Sequence, residues 1–284
     1  MVREQILDSG KLPINYAEGP DSGPPLLLLH GLSQRWQVFQ PVLTDLADFW
    51  HVYAPDFRGH GKSGRAPGAY RGEDYAADVI HLIETKISKP VAIFGHSLGG
   101  MVGMYIAAQH PDRVRALALG DTGIHLESYE SSSYRSLFEG VENRLQPGMK
   151  LKELAAAVSD MWVDLPDGAR AQLKHIAGND AATLRWWASS LLQLDPDTIR
   201  MTLDGRSGRN WDAEGIMKNI ACPTLLIQAD PARGGVMTDR DVRSALTLLR
   251  DALHVRLNGV GHSLQRHEPQ VVLRVLMNFL GALE

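Results

Sequence analysis

The chain has 284 residues, 44% of them hydrophobic and 22% charged, with a formal net charge of −4. That composition supports one large α/β domain or two small ones and gives no indication of disorder. Lys and Arg are scattered without a basic stripe, so nucleic acid is not an expected partner, and the charge allows neutral or acidic small molecules.

The N-terminal stretch "MVREQILDSG" carries acids and no apolar centre, unlike a signal peptide, and no apolar run approaches a membrane span. The lone Cys222 has no intramolecular disulfide partner, and no Cys/His cluster has zinc-ligand spacing. The expectation is a soluble cytoplasmic protein with no membrane partner.

Pro24 and Pro25 lead into "LLLLH", a short apolar run of the kind found in strands buried on both faces. "WQVFQPVLTDL" then spaces its apolar residues as a helix on a core does. "HVYAPD" reads as a strand and "FRGHGKSG" as a glycine-rich loop. "DYAADVIHLIETKI" is helical, with Asp74 placed to cap it. "VAIF" is a strand, "GHSLGG" a turn, "MVGMYIAAQHP" a helix and "VRALALGD" a further strand. This alternation predicts a mostly parallel sheet with helices on both faces.

Between residues 122 and 215 the pattern changes to helical spacing alone, as in "LKELAAAVSDMWVDL" and "ATLRWWASSLLQL". The expectation is an all-helical lid inserted into the core, with 1–121 and 216–284 as the two parts of one α/β unit. Alternation resumes with "CPTLLIQAD", "TDRDVRSALTLL", "ALHVRLNG" and the final helix "QVVLRVLMNFLGAL".

The turns carry the chemistry. "GHSLG" places Ser97 between glycines at a strand-to-helix turn, a G-x-S-x-G pattern that lifts the hydroxyl above the sheet edge. The Leu98 N–H then opens a helix, where unpaired donors and the dipole favour developing negative charge. A serine needs a base, and His262 in "NGVGHSLQRHEP" lies in a loop after the last strand, just before the final helix. His96 flanks the serine on a turn whose neighbours point apart; His30 reads as structural, and His60, His125 and His267 as loop or surface residues.

The acid that orients the base should end a strand between Ser97 and His262. Asp230, closing "TLLIQAD", is the favoured candidate, with Asp121, closing "VRALALGD", kept open. A second oxyanion donor is expected from "LLLLHGLSQRW", where Gly31 permits close approach and Leu32 offers its N–H. Trp36 could face the site, and Met161, Trp162, Trp186 and Trp187 could line an apolar pocket, although tryptophans at helical spacing often simply pack.

With these residues in place, the chain resembles the serine-nucleophile branch of the α/β-hydrolase superfamily that carries a helical cap. The motifs are "HG" at His30–Gly31, "DFRGHGKSG", "GHSLGG", "HPDRV" and "GVGHS". The resemblance implies an eight-stranded, mostly parallel sheet whose second strand is antiparallel, a helical cap between the sixth and seventh strands, and no cofactor. It carries over Ser97 as nucleophile, His262 as base and the Leu32 and Leu98 N–H groups as oxyanion hole. Many relatives place the acid past the seventh strand in a G-x-x-D pattern, whose aspartate position here is Ala232; others take it after the sixth strand. The leading expectation is cleavage of an ester, lactone or related carbonyl substrate, partly apolar, through an acyl-enzyme. Carbon–carbon hydrolysis, hydroxynitrile lysis, perhydrolysis or cofactor-free oxygenation on the same fold are alternatives, and a non-catalytic ligand receptor is an alternative of another class.

Overall fold

The computed structural model describes residues 2–8, 10, 12–127 and 133–283. Its centre is an eight-stranded sheet built from β1 (Arg3–Leu7), β2 (Ile14–Glu18), β3 (Pro25–Leu29), β4 (His51–Pro55), β5 (Val91–His96), β6 (Val114–Gly120), β9 (Thr224–Ala229) and β10 (Ala252–Leu257). The spatial order is β1-β2-β4-β3-β5-β6-β9-β10. β2 runs antiparallel to both neighbours, and the other pairings are parallel.

Side chains alternate across β3 in the way a sheet covered on both faces requires. Leu27 and Leu29 join one apolar layer with Val79 and Ile83 of α2 (Gly72–Lys86), Met104 of α3 (Leu98–Gln109) and Val242 of α9 (Asp239–Leu248). Leu26 and Leu28 enter the opposite layer with Leu46 of α1 (Gln40–Ala47) and Leu276 of α11 (Pro269–Gly281). The short helix α10 (Leu264–His267) connects the loop after β10 to α11.

Asp74 does not stand at the N-cap of α2. That position belongs to Arg71, and Asp74, three residues on, accepts from the Arg71 backbone N–H at 2.9 Å. The carboxylate still satisfies an end group, but from inside the first turn.

The cap inserted after β6 contains α4 (Ser133–Glu142), α5 (Leu151–Ser159), α6 (Ala181–Leu191) and α7 (Pro196–Leu203) around its own apolar cluster, with Val141, Leu154, Val158 and Leu191 at its centre. It is not all-helical. The helix expected to continue through "DMWVDL" stops at Ser159, and β7 (Trp162–Asp164) pairs antiparallel with β8 (Arg170–Gln172). The turn between them explains the break. Gly168 adopts a left-handed φ of 81° and Leu165 N–H bonds the Ala169 carbonyl at 2.8 Å, closing a hairpin whose strands are too short to leave an alternating signature. The helix α8 (Ala213–Asn219) runs across the expected boundary at residue 215, and its Ile216 and Met217 pack in the core layer beside α3.

Candidate active site

Strand β5 enters helix α3 through Ser97, whose φ of 53° and ψ of −118° lie in a strained region for a non-glycine residue. The flanking glycines make this turn possible. A Cβ at Gly95 would overlap the Gly99 carbonyl, and one at Gly99 would overlap the Leu29 carbonyl oxygen. Strand and helix therefore approach at backbone contact, and Ser97 is left at the edge of a cavity of about 970 Å³ lined by residues of the core loops and the cap. Leu32, Leu98 and His262 line the same cavity. Gly31 lies against the elbow, since a Cβ there would stand 3.3 Å from Ser97 Cβ and 3.1 Å from His96 Nδ1.

The carboxylate that meets His262 is Asp121, not Asp230. His262 Nδ1–H donates to Asp121 Oδ2 at 2.6 Å, with Asp121 fully buried. Asp121 follows β6 directly and has a φ of 39°, which turns the chain out of the strand at the sheet edge. Its oxygens receive three further donors: Ala229 N–H at 3.1 Å and Met237 N–H at 3.2 Å on Oδ1, and Val236 N–H at 2.8 Å on Oδ2. These fixed dipoles solvate an otherwise buried charge. Asp230 has a different task. It accepts from Ala232 N–H at 3.0 Å and Gly259 N–H at 2.8 Å, and these bonds hold its carboxyl below the usual range. Its side chain thus ties two surface turns together.

With Nδ1 committed as a donor, His262 Nε2 keeps its lone pair. The His262 ring is bracketed by the rings of His96 and Tyr134, each with its centroid 4.6 Å away. His96 Nε2–H donates to the His262 carbonyl at 2.8 Å, and burial first, then the neighbouring His262, pushes the His96 pKa down to about 3. His96 is thus a neutral support for the loop that bears His262.

The loop after β3 is pinned from below by two other buried histidines. His30 Nδ1–H donates to the Gly31 carbonyl at 2.8 Å while its Nε2 accepts from Phe57 N–H at 3.0 Å. His60 is not a surface residue: it is fully buried, donates from Nδ1 to the Arg58 carbonyl at 3.0 Å and accepts on Nε2 from Ser33 N–H at 3.2 Å. Burial pushes the His30 pKa down to about 4 and that of His60 to about 3, so both are neutral at pH 7. His125 is buried as well, with Nδ1–H donating to Asp241 at 2.7 Å.

The aromatic expectations divide. Trp186 and Trp187 line the cavity, and Trp187 Nε1–H donates to Ser33 Oγ at 3.0 Å, joining the cap to the loop after β3. Trp36 does not face the site: its indole N–H bonds Glu4 at 2.9 Å and its ring packs on the layer formed by α1 and α11. Trp162 is 52% exposed on the cap hairpin, outside the cavity, and Met161 is buried in the cap's own core. The hairpin is what turned this pair away from the site. His267, expected at the surface, lines the cavity, and burial lowers its pKa. Sequence reading passed over Tyr134 and Arg266, both of which line the cavity. The one available signal for Arg266 is its place four residues after His262.

A serine elbow at the C-terminal edge of a parallel sheet, a carboxylate–histidine pair beside it and a cap above define a hydrolase architecture. The chain belongs to the α/β-hydrolase fold family, whose model matches residues 24–268, and it is an enzyme of the hydrolase class. It is 26% identical over 281 residues to the 2-(acetamidomethylene)succinate hydrolase of Mesorhizobium japonicum, covering 97% of this chain and 94% of that protein. The pimeloyl-[acyl-carrier protein] methyl ester esterase of Neisseria meningitidis is 28% identical over 83% of this chain and 88% of its own length. Among solved structures, the enol-lactonase from Burkholderia xenovorans LB400 superposes with a TM-score of 0.76 at 20% identity, over 98% of this chain and all of that one, 100%. That likeness is one of fold. No helix among the described residues is long and apolar enough to cross a membrane.

Proposed function

We propose that the protein hydrolyses an ester, lactone or related carbonyl compound through an acyl-enzyme on Ser97. The observation that carries this reading is the buried Asp121–His262 hydrogen bond of 2.6 Å at the same cavity as the Ser97 elbow. His262 Nε2 takes the hydroxyl proton as Ser97 Oγ bonds to the substrate carbonyl carbon. Asp121 fixes the tautomer and stabilises the imidazolium that forms, and the Leu32 and Leu98 N–H groups receive the oxyanion. His262 then returns the proton to the leaving oxygen as the carbon–oxygen bond breaks. Water, deprotonated by the same Nε2, releases the acid and restores Ser97.

The cap covers this site and selects the substrate, with Trp186 and Trp187 as its apolar wall. A relative named as a methyl ester esterase supports the carbonyl class. A nucleophilic serine, in place of an aspartate, argues against alkyl-enzyme chemistry of the dehalogenase type. The test is intact mass after treatment with a fluorophosphonate, alongside p-nitrophenyl acetate turnover, in the wild type and in Ser97→Ala. One covalent adduct and turnover, both lost in Ser97→Ala, support the proposal. A folded wild type that neither labels nor turns over rejects it.

A further inference from the structure

Arg266 lies on α10, four residues after His262, and lines the cavity. Its guanidinium stacks on the Trp186 ring at 4.1 Å from the centroid, with the side chain half-buried. Nε is buried and makes no hydrogen bond, and no carboxylate among the described residues stands within the 4.0 Å of an ion pair. The acid that acts on it electrostatically is Asp180, whose carboxylate caps α6 by accepting from Thr183 N–H at 2.7 Å. Another arginine of the cavity wall is already engaged: Arg135 pairs with Glu139 at 3.0 Å.

A half-buried cation that has no ion pair among the described residues costs stability unless a ligand supplies the counter-charge. Stacking on an indole covers one face of a guanidinium but leaves its terminal N–H groups free to meet a planar carboxylate in the guanidinium plane. Burial also lowers the Arg266 pKa, in keeping with a charge partly removed from water.

We infer that the substrate carries a carboxylate besides its scissile carbonyl, and that Arg266, backed by Trp186, is the site that binds it. This rests on the hydrolase reading above and deepens it, from carbonyl compounds in general to anionic ones. The cavity then holds both a nucleophile, Ser97, and an anion-binding group, Arg266, in its lining. A lysine would keep the charge but lose the planar fork.

The test compares the mono-p-nitrophenyl ester of adipate with p-nitrophenyl hexanoate, acyl chains of equal length that differ by one terminal carboxylate. The wild type should favour the adipate ester in kcat/KM by about tenfold or more, the scale of one charge-assisted hydrogen bond. In Arg266→Met that preference should fall by at least about tenfold, mainly through KM for the charged ester, with Arg266→Lys intermediate. A second reading uses Ser97→Ala, where no turnover occurs: calorimetric binding of adipate should weaken about tenfold when Arg266→Met is added. A fluorophosphonate adduct with hexanoate turnover, but no adipate preference that Arg266 controls, overturns the anion site and leaves the hydrolase reading intact. Equal slowing of both esters in Arg266→Met marks a structural role and overturns it too. Adipate binding unchanged by Arg266→Met overturns it whatever the fate of the hydrolase reading.

Discussion

Replacing Asp121 with Asn removes one charge and no volume, and its effect can be worked from the four donors around the carboxylate. Oδ1 receives the Ala229 and Met237 N–H groups, and Oδ2 receives the Val236 N–H and His262 Nδ1–H. An amide has one oxygen for these four donors. Placing its NH2 at the Oδ1 position opposes two backbone donors, so the favoured orientation puts NH2 at the Oδ2 position. There it opposes the Val236 N–H, leaving one buried donor unmet at about 1–3 kcal/mol. It also donates to His262 Nδ1, which must give up its proton. The imidazole is then protonated on Nε2 and cannot accept from Ser97, a fault that costs about 10⁴ in kcat where an orienting aspartate is converted to asparagine. The assay is kcat on a p-nitrophenyl ester, with Ser97→Ala as the floor and urea unfolding to register the stability loss. Asp230→Asn is the control: its carboxylate ties Ala232 and Gly259, so kcat should stay within a few-fold of wild type. Asp121→Asn retaining a tenth or more of wild-type kcat, with Asp230→Asn falling a hundredfold, would refute the assignment of the acid to Asp121.

Gly99→Ala should destabilise the fold by about 3 kcal/mol or more, because the new methyl overlaps the Leu29 carbonyl and neither the strand nor the helix can retreat; an unchanged melting temperature would contradict the close strand–helix approach. Acid should weaken the fold through its buried neutral histidines. His30, His60 and His96 have folded pKa values of about 4, 3 and 3, below the ordinary 6.5. Their contribution is complete above pH 6.5 and declines as the pH falls, since the unfolded chain takes up protons that the folded one refuses. At pH 5 each loses about 2 kcal/mol, from 1.36 kcal/mol per unit over about 1.5 units. Asp56, whose pKa burial raises, works in the opposite sense and offsets part of the loss. Urea unfolding at pH 7.5 and pH 5 reads the balance, and equal stabilities at the two pH values would count against neutral histidines under the loop after β3.

The elbow was legible in the sequence because its cause is local. Glycines at 95 and 99 are dictated by backbone contact between adjoining segments, and the pattern around Ser97 records that contact directly. His262 was legible for a similar reason, as a loop histidine ahead of the final helix. The carboxylate that meets His262 was not, because Asp121 and Asp230 both follow the ends of strands, β6 and β9, that are neighbours in the sheet. What separates them is tertiary: the left-handed backbone at Asp121 and the prior claim of Gly259 and Ala232 on Asp230. His60 looked like loop furniture because its glycine-rich surroundings hide that the loop folds inward beneath Ser33. Among the tryptophans, helical spacing identified a face but not what the face meets. Trp187 found the Ser33 hydroxyl, whereas Trp162 was carried outward by a hairpin written in only three residues per strand.

Apart from His262 Nδ1–H, the donors around Asp121 are all main chain. Ala229, Val236 and Met237 each give a backbone N–H, and no side chain of the 229–237 segment touches the carboxylate through a hydrogen bond. The set of donors that holds Asp121 is therefore indifferent to most amino-acid exchanges along that segment, and only proline at one of those three positions would strip a donor from it. Mutational drift can thus rewrite the surface beside His262, altering solubility or the rim of the cavity, while the main-chain donors that hold its carboxylate partner pass unchanged from one sequence to the next.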